Sequence, residues 1–202
     1  MRAILLGRIA VCATAVGVVA LGLAGGVAGA STRATAAAAP PRVVRAGAIR
    51  RSPHTRAPGA PVAAGDIAGQ RVFTSAKNGF ALASVGEADY PVVTADGGAT
   101  WKTDGPALHL HAAQAPLAVE FIGAVNRRTV FAWGGGQVID ATSDGGKHWY
   151  RTVFTDGNPV GVVQGVSGHL LAFIGSSNGR TIWQYLSRDG GRTWHYQTTV
   201  AQ

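Results

Sequence analysis

Thr94-Ala95-Asp96-Gly97-Gly98-Ala99-Thr100-Trp101 decides the fold, because it returns twice without a gap. It recurs as Thr142-Ser143-Asp144-Gly145-Gly146-Lys147-His148-Trp149 and as Ser187-Arg188-Asp189-Gly190-Gly191-Arg192-Thr193-Trp194. The shared pattern is Ser or Thr, any residue, Asp-Gly-Gly, any residue, Thr or His, then Trp. An aspartate can accept hydrogen bonds from the backbone N–H groups that follow it, closing an Asx-type turn, and Gly-Gly supplies the positive φ values a hairpin corner needs. The tryptophan opens the outgoing strand, with a large face to bury against the incoming one. Trp101, Trp149 and Trp194 lie 48 and 45 residues apart, the length of a four-stranded unit.

Upstream of each octapeptide the same order of strands recurs. Arg71-Val72-Phe73, Val119-Glu120-Phe121 and Val160-Gly161-Val162-Val163 come first. Phe80-Ala81-Leu82-Ala83, Val130-Phe131-Ala132-Trp133 and Leu171-Ala172-Phe173-Ile174 follow, and Tyr90, Val138 and Trp183 sit four residues before each octapeptide's Ser or Thr. Short apolar runs bounded by Gly, Asn, Asp and Pro are strand signals, and no stretch beyond Val62 has useful helical periodicity. The expected class is all-β: a β-propeller-like array of about three four-stranded antiparallel blades, near residues 66–117, 118–159 and 160–202. On these residues, with Phe73-Thr74-Ser75-Ala76-Lys77-Asn78-Gly79-Phe80-Ala81-Leu82, the chain resembles the Asp-box or BNR-like repeat family. That family includes sialidase propellers and the propellers of photosystem II stability and assembly factors. The resemblance implies a propeller with its boxes on the outer rim, away from the axis where ligands sit. Three blades fall short of the four to eight of a closed ring and leave sheet edges open. Either a second copy completes a six-blade ring, or the units form an incomplete barrel or sandwich.

The N-terminal residues read differently. Met1-Arg2, an apolar run from Ile9 to Val27 and Ala28-Gly29-Ala30 have the layout of a secretory signal peptide, residues 1–30, cleaved after Ala30. The alternative is a membrane anchor, since about 19 apolar residues span a bilayer, although five glycines between Gly17 and Gly29 weaken such a helix. Cys12, the one cysteine, lies in this segment, so residues beyond it hold no disulfide and no thiol chemistry. Residues 31–62 are rich in Ala, Pro and Arg and lack apolar periodicity, which reads as a disordered linker ahead of a repeat domain at 63–202. The net charge of +8 belongs to the N-terminal part: Arg2, Arg8, Arg33, Arg42, Arg45, Arg50, Arg51 and Arg56 face no acidic residue, while from Ala63 onward ten basic residues match ten acidic ones. A neutral body argues against a nucleic-acid partner. The basic segment is either an adhesive for an anionic membrane or wall surface or a solvated spacer.

No catalytic, cofactor or metal constellation stands out. The arginine motif of the first sialidase blade is absent, and Glu87 and Glu120 are the only glutamates. His109-Leu110-His111 places two imidazoles on one face of an extended chain with no third ligand fixed by spacing. Trp133 and Trp183 sit in strand patterns that favour packing over sugar stacking. The expected function is a non-catalytic, extracytoplasmic binding or scaffolding module for a protein or glycan ligand. A sialidase-like hydrolase or degenerate relative, and an assembly factor for an envelope complex, are the alternatives. Binding residues concentrate on loops carried by a rigid sheet, here Gly86 to Asp89, Thr103 to Pro116, Gly134 to Gly136 and Ser176 to Arg180. Glu87, Asp89, His109, His111, Asn178 and Arg180 are their candidate ligand contacts. Thr94, Asp96, Gly98, Trp101, Thr142, Asp144, Gly146, Trp149, Ser187, Asp189, Gly191 and Trp194 are structural.

Overall fold

Runs such as Gly79-Phe80-Ala81-Leu82-Ala83 are too short and too evenly apolar for a helix, and they satisfy their backbone by pairing with neighbours. The structure, a computed structural model, describes residues 39–110, 119–134 and 136–201. The expected signal peptide with its cleavage point, Cys12, Arg33, residues 31–38 and His111 lie outside them. Ahead of the repeats come β1 (Val43–Arg45), β2 (Gly47–Ala48) and β3 (Pro61–Val62). The first repeat contains β4 (Ile67–Phe73), β5 (Gly79–Val85), β6 (Ala88–Thr94) and β7 (Trp101–Thr103), followed by the short β8 (His109–Leu110). The second contains β9 (Val119–Ala124), β10 (Val130–Gly134), β11 (Val138–Thr142) and β12 (Tyr150–Val153). The third contains β13 (Gly157–Gln164), β14 (Leu170–Ser176), β15 (Thr181–Ser187) and β16 (Thr193–Ala201). Among the described residues there is no α-helix, only single 3-10 turns at Ala64–Asp66 and Val166–Gly168.

Each repeat is an antiparallel meander, as its sequence leads one to expect, but each sheet has a fifth strand. The orders are β3-β7-β6-β5-β4, β2-β12-β11-β10-β9 and β1-β16-β15-β14-β13, with β8 also paired to β6, and none of the three closes on itself. The fifth strands all come from the segment expected to be a disordered linker. Val43 pairs with His195, Gly47 with Arg151 and Val62 with Trp101, so residues 43–62 cross the third, second and first sheets in turn as a strap. Ala46 N–H donates to Arg192 O at 2.9 Å and Ile49 N–H to Trp149 O at 2.8 Å between those pairings. The linker expectation is corrected for a plain reason. A strand added to an existing edge takes its hydrogen bonds from the sheet and needs few apolar side chains; Val44, Ile49 and Val62 supply them. The repeat domain therefore begins before residue 63, and the third unit begins at Gly157 rather than 160.

Core formation occurs between sheets. Phe80 and Leu82 of the first sheet pack with Ile122, Val130, Ala132 and Trp149 of the second. Phe131, Ile139 and Ala141 of the second pack with Leu170, Ala172, Ile174, Trp183, Tyr185 and Trp194 of the third. Trp183 is thus a core residue, and Trp133 stacks between Phe121 at 5.3 Å and Phe131 at 5.7 Å. Burying one large apolar side chain contributes about 1.5–3 kcal/mol, so these shared faces hold adjacent sheets together.

The strap makes a direct prediction. A chain lacking residues 39–62 exposes three strand edges and uncovers Trp101 and its neighbours, so it should melt at least about 10 °C below the intact chain, in line with a loss of several kcal/mol. Equal melting temperatures by circular dichroism would show that the strap is not part of the cooperative unit.

Candidate functional site

The three octapeptides fold into one corner with one bonding scheme. The Ser or Thr hydroxyl donates to the aspartate: Thr94 to Asp96 at 2.7 Å, Thr142 to Asp144 at 2.9 Å and Ser187 to Asp189 at 2.8 Å. The same hydroxyl accepts the N–H of Gly98, Gly146 or Gly191 at 2.8–3.1 Å. The carboxylate accepts the N–H four residues on, from Thr100, His148 or Thr193, at 2.9–3.0 Å. Both glycines of every pair have φ between 71° and 93°. A side chain on Gly146 would in addition strike Asp104, and one on Gly191 would strike Ala141. Thr100's hydroxyl and backbone N–H, then Thr94, hold the Asp96 carboxyl far below the usual carboxylate range. Burial pushes Asp144 upward, but the bonds from His148 and Thr142 outweigh it and hold it at about 2. Asp189 is lowered in the same way, against burial, by Thr193, Ser187 and Arg192.

The tryptophans do something other than cover their own hairpins. Trp149 Nε1–H donates to Asp104 O at 2.7 Å, and Trp194 Nε1–H to Thr152 Oγ1 at 3.1 Å. Each acceptor stands three residues after the tryptophan of the preceding repeat, so the indole is the bond between sheets. Arg192 lies 4.7 Å over the Tyr150 ring across the same junction. Trp194 also donates within its own corner, to Gly191 O at 3.1 Å, and among the described residues Trp101 bonds there alone, to Gly98 O at 3.0 Å.

An alternating meander sends successive turns to opposite ends, and this sorts the candidate contacts. The corners lie with the turns after β4 and β9, tied by Gly97 N–H to Lys77 O and Gly145 N–H to Arg128 O. The turns at 86–87, 136–137 and 177–180 and the connections at 106–110 and 154–156 lie at the other end, whereas Asp104 and Gly105 stay beside Gly146 of the second corner. Those turns and connections are joined by Leu108 N–H to Asp89 O, Phe154 N–H to Gln137 O and Ser177 N–H to Asp156 O. Apart from residues 103–105, the described parts of all four expected contact loops therefore share one end.

At that end Asp89 accepts Ser84 Oγ–H at 2.6 Å and faces His109 Nδ1 at 3.2 Å. Beside them Arg151 grips Asp140 through Nε at 2.8 Å and Nη2 at 2.7 Å, and Nη2 also donates to Leu108 O. Burial pushes the Asp140 carboxyl up, opposed by Arg151 and by the positive side of His109. Asp140 in turn holds Arg151 firmly charged against its own burial. The two-pronged geometry marks the pair as ionised. Asp89 and His109, expected as solvent-facing contacts, are thus largely enclosed in an alternating acid–base cluster. A cavity of about 430 Å³ opens onto it, lined by Gly69, Leu82, Ser84, Asp89, Val119 and Glu120. Glu87 is exposed on a second cavity with His54, Arg56 and Tyr90. Asn178 locks its own turn, accepting Ser176 Oγ–H at 2.7 Å and Arg180 N–H at 3.0 Å, and Arg180 projects beside it. Sequence reasoning missed the Asp140–Arg151 pair. Its one visible sign is a carboxylate in the otherwise apolar run Val138-Ile139-Asp140-Ala141.

Two predictions come from these contacts. Asp144→Ala frees the His148 N–H and the Thr142 hydroxyl and should cost about 1–3 kcal/mol by chemical denaturation. Because the folded carboxyl titrates near 2, that difference should persist above pH 4 and vanish as pH falls through about 2. Asp104 behaves oppositely. Burial, and then the Asp144 charge, push it to about 7, and its Oδ2 is enclosed with no hydrogen-bond partner among the described residues. Stability is then full below about pH 4 and is lost as pH rises through 7; Asp104→Asn should remove on the order of 2 kcal/mol of the fall between pH 5 and pH 8. Parallel pH profiles of the two proteins would refute the assignment.

Among known families, a model of the BNR/Asp-box repeat matches residues 185–196, the third corner with the strand ends that carry it. No curated protein and no solved structure matches the chain.

Proposed function

We propose that the chain is a non-catalytic, extracytoplasmic binding or scaffolding module of the BNR-like type. Its three sheets are the blades of an incomplete propeller, and its ligand surface is the loop end opposite the Asp-box corners. The observation that carries this reading is the Ser84–Asp89–His109 group beside the Asp140–Arg151 pair, with a 430 Å³ cavity lined by Ser84 and Asp89, at the end to which the turns at 86–87, 136–137 and 177–180 project. The corners, by contrast, spend their carboxylates on their own backbone. The ligand is a protein or a glycan. The exposed arginines of the strap, Arg42, Arg45, Arg50, Arg51 and Arg56, offer a separate contact for an anionic membrane or wall surface.

Tyrosine chemistry supports a non-catalytic role. Tyr185 donates to Pro41 O at 3.0 Å, and burial, with Asp156 and Tyr196 nearby, pushes its hydroxyl up to about 12, a poor setting for a nucleophile. Tyr90 OH accepts Arg56 N–H and Tyr196 OH bonds Thr199. The hydrolase and envelope-assembly readings remain as alternatives that one set of assays separates. A fluorogenic sialoside should show no turnover. A glycan array or co-purification from envelope extract should show binding that falls at least about tenfold in a Glu87→Ala, Arg180→Ala double variant and holds in Asp96→Ala. Turnover of the sialoside, or binding lost only through the corners, would overturn the proposal.

A further inference from the structure

The two ends of the array of sheets differ. The outward face of the first sheet carries Val62, Ala81, Ala83, Tyr90, Val92 and Trp101, all at most 8% exposed without another sheet on top. Residues 52–66 lie across it: Arg56 N–H donates to Tyr90 OH at 2.9 Å, and Val62 packs within the cluster. The indole that makes both internal junctions is, in this repeat, already enclosed.

Among the described residues, no segment covers the outward face of the third sheet in that way. Phe80 and Phe131 hold equivalent places in the first two repeats and are 3% exposed, each beneath the next sheet. Leu171, their counterpart by register, is only half-buried. Along one row of the same face Val163, Leu171, Leu186, His195 and Val43 are paired neighbours across all five strands, with Val163 46% and Val43 43% exposed. At its corner end a cavity of about 350 Å³ is lined by Leu186, Arg188, Asp189, Thr193, His195 and Gln197. In the second sheet the residues at matching places are the ones that carry the next corner. Ala141 and Ser143 meet Gly191 and Gly190, Tyr150 lies under Arg192, and Thr152 accepts the Trp194 indole. The third sheet thus repeats a docking face whose function is displayed twice within the chain.

We infer that this face pairs with the same face of a second copy, third sheet against third sheet about a two-fold axis. Head-to-tail pairing is opposed by residues 52–66, which occupy the surface an incoming sheet would need, whereas a self-complementary contact uses two open faces and leaves none. Five strands about 4.8 Å apart and seven residues long present roughly 550 Å² per copy, at the small end of specific interfaces. The dimer is therefore expected to dissociate in the micromolar range.

Sedimentation of the full chain from about 1 to 300 μM tests this. The expected result is a monomer–dimer equilibrium that Leu186→Arg shifts at least about tenfold towards monomer. Val163→Lys, at an already exposed position, should do the same if Leu186→Arg fails to fold. Val166→Lys, on the turn at 87% exposure, should leave it unchanged. Monomer throughout, a ladder of higher oligomers, or association indifferent to both face variants would each overturn the inference.

Discussion

One indole bond and the corner that carries it govern how these sheets assemble. The Ser or Thr hydroxyl and the aspartate satisfy the corner's N–H groups locally, and the tryptophan N–H, a donor only, takes a separate acceptor. In the second and third repeats the indole reaches across to the sheet before it, Trp194 sharing its N–H with its own Gly191 O. A buried indole must place its N–H on an acceptor, and the acceptor three residues past the previous tryptophan recurs with the repeat. Spacing between tryptophans is therefore also spacing between sheets, and the shared apolar faces follow from it. The tight seat adds to the need for glycine at the corner, since Gly146, Gly190 and Gly191 each lie where a side chain would strike the neighbouring sheet.

Polar groups near these junctions are of two kinds. The corner carboxylates are stabilised as anions by short local bonds, so they cost little to bury in part. Asp104 and Asp140 are enclosed by the contact between sheets itself, and only Asp140 has been given a counter-ion, Arg151. The first junction thus carries an uncompensated acid whose ionisation works against it, while the second has no counterpart: Thr152, a neutral hydroxyl, stands where Asp104 stands. The two junctions share a geometry and differ in their sensitivity to pH.

Most of the strand pattern was legible in the sequence, because corner and strand signals are local. The octapeptides, the three strands before each and the four-stranded meander appear where the residues put them. What local signals do not carry is pairing at long range. Val43-Val44-Arg45 and Pro61-Val62 look like tail because strand addition needs backbone more than pattern, and composition misled further by placing five arginines there. The destination of the tryptophans was misread for the same reason, since nothing in the octapeptide says which sheet will receive the indole. Of the candidate contacts, gathering at one end was readable from the meander. The enclosure of Asp89 and His109 depended on β8 folding back beside β6, which two residues of strand do not announce.

The strap also sets an order of events. Val62 meets its partner Trp101 after 39 residues, Gly47 meets Arg151 after 104, and Val43 meets His195 after 152. A chain emerging N-terminus first must hold its opening strands unpaired until the last repeat arrives, so the belt fastens backwards, from its C-terminal end to its N-terminal end. The final pairing closes the longest of the three loops, at an entropic cost only a few tenths of a kcal/mol above the one before, roughly as the logarithm of length predicts. Completion is thereby reported at the beginning of the chain, where an arginine-bearing ribbon stays loose until every repeat behind it has been made.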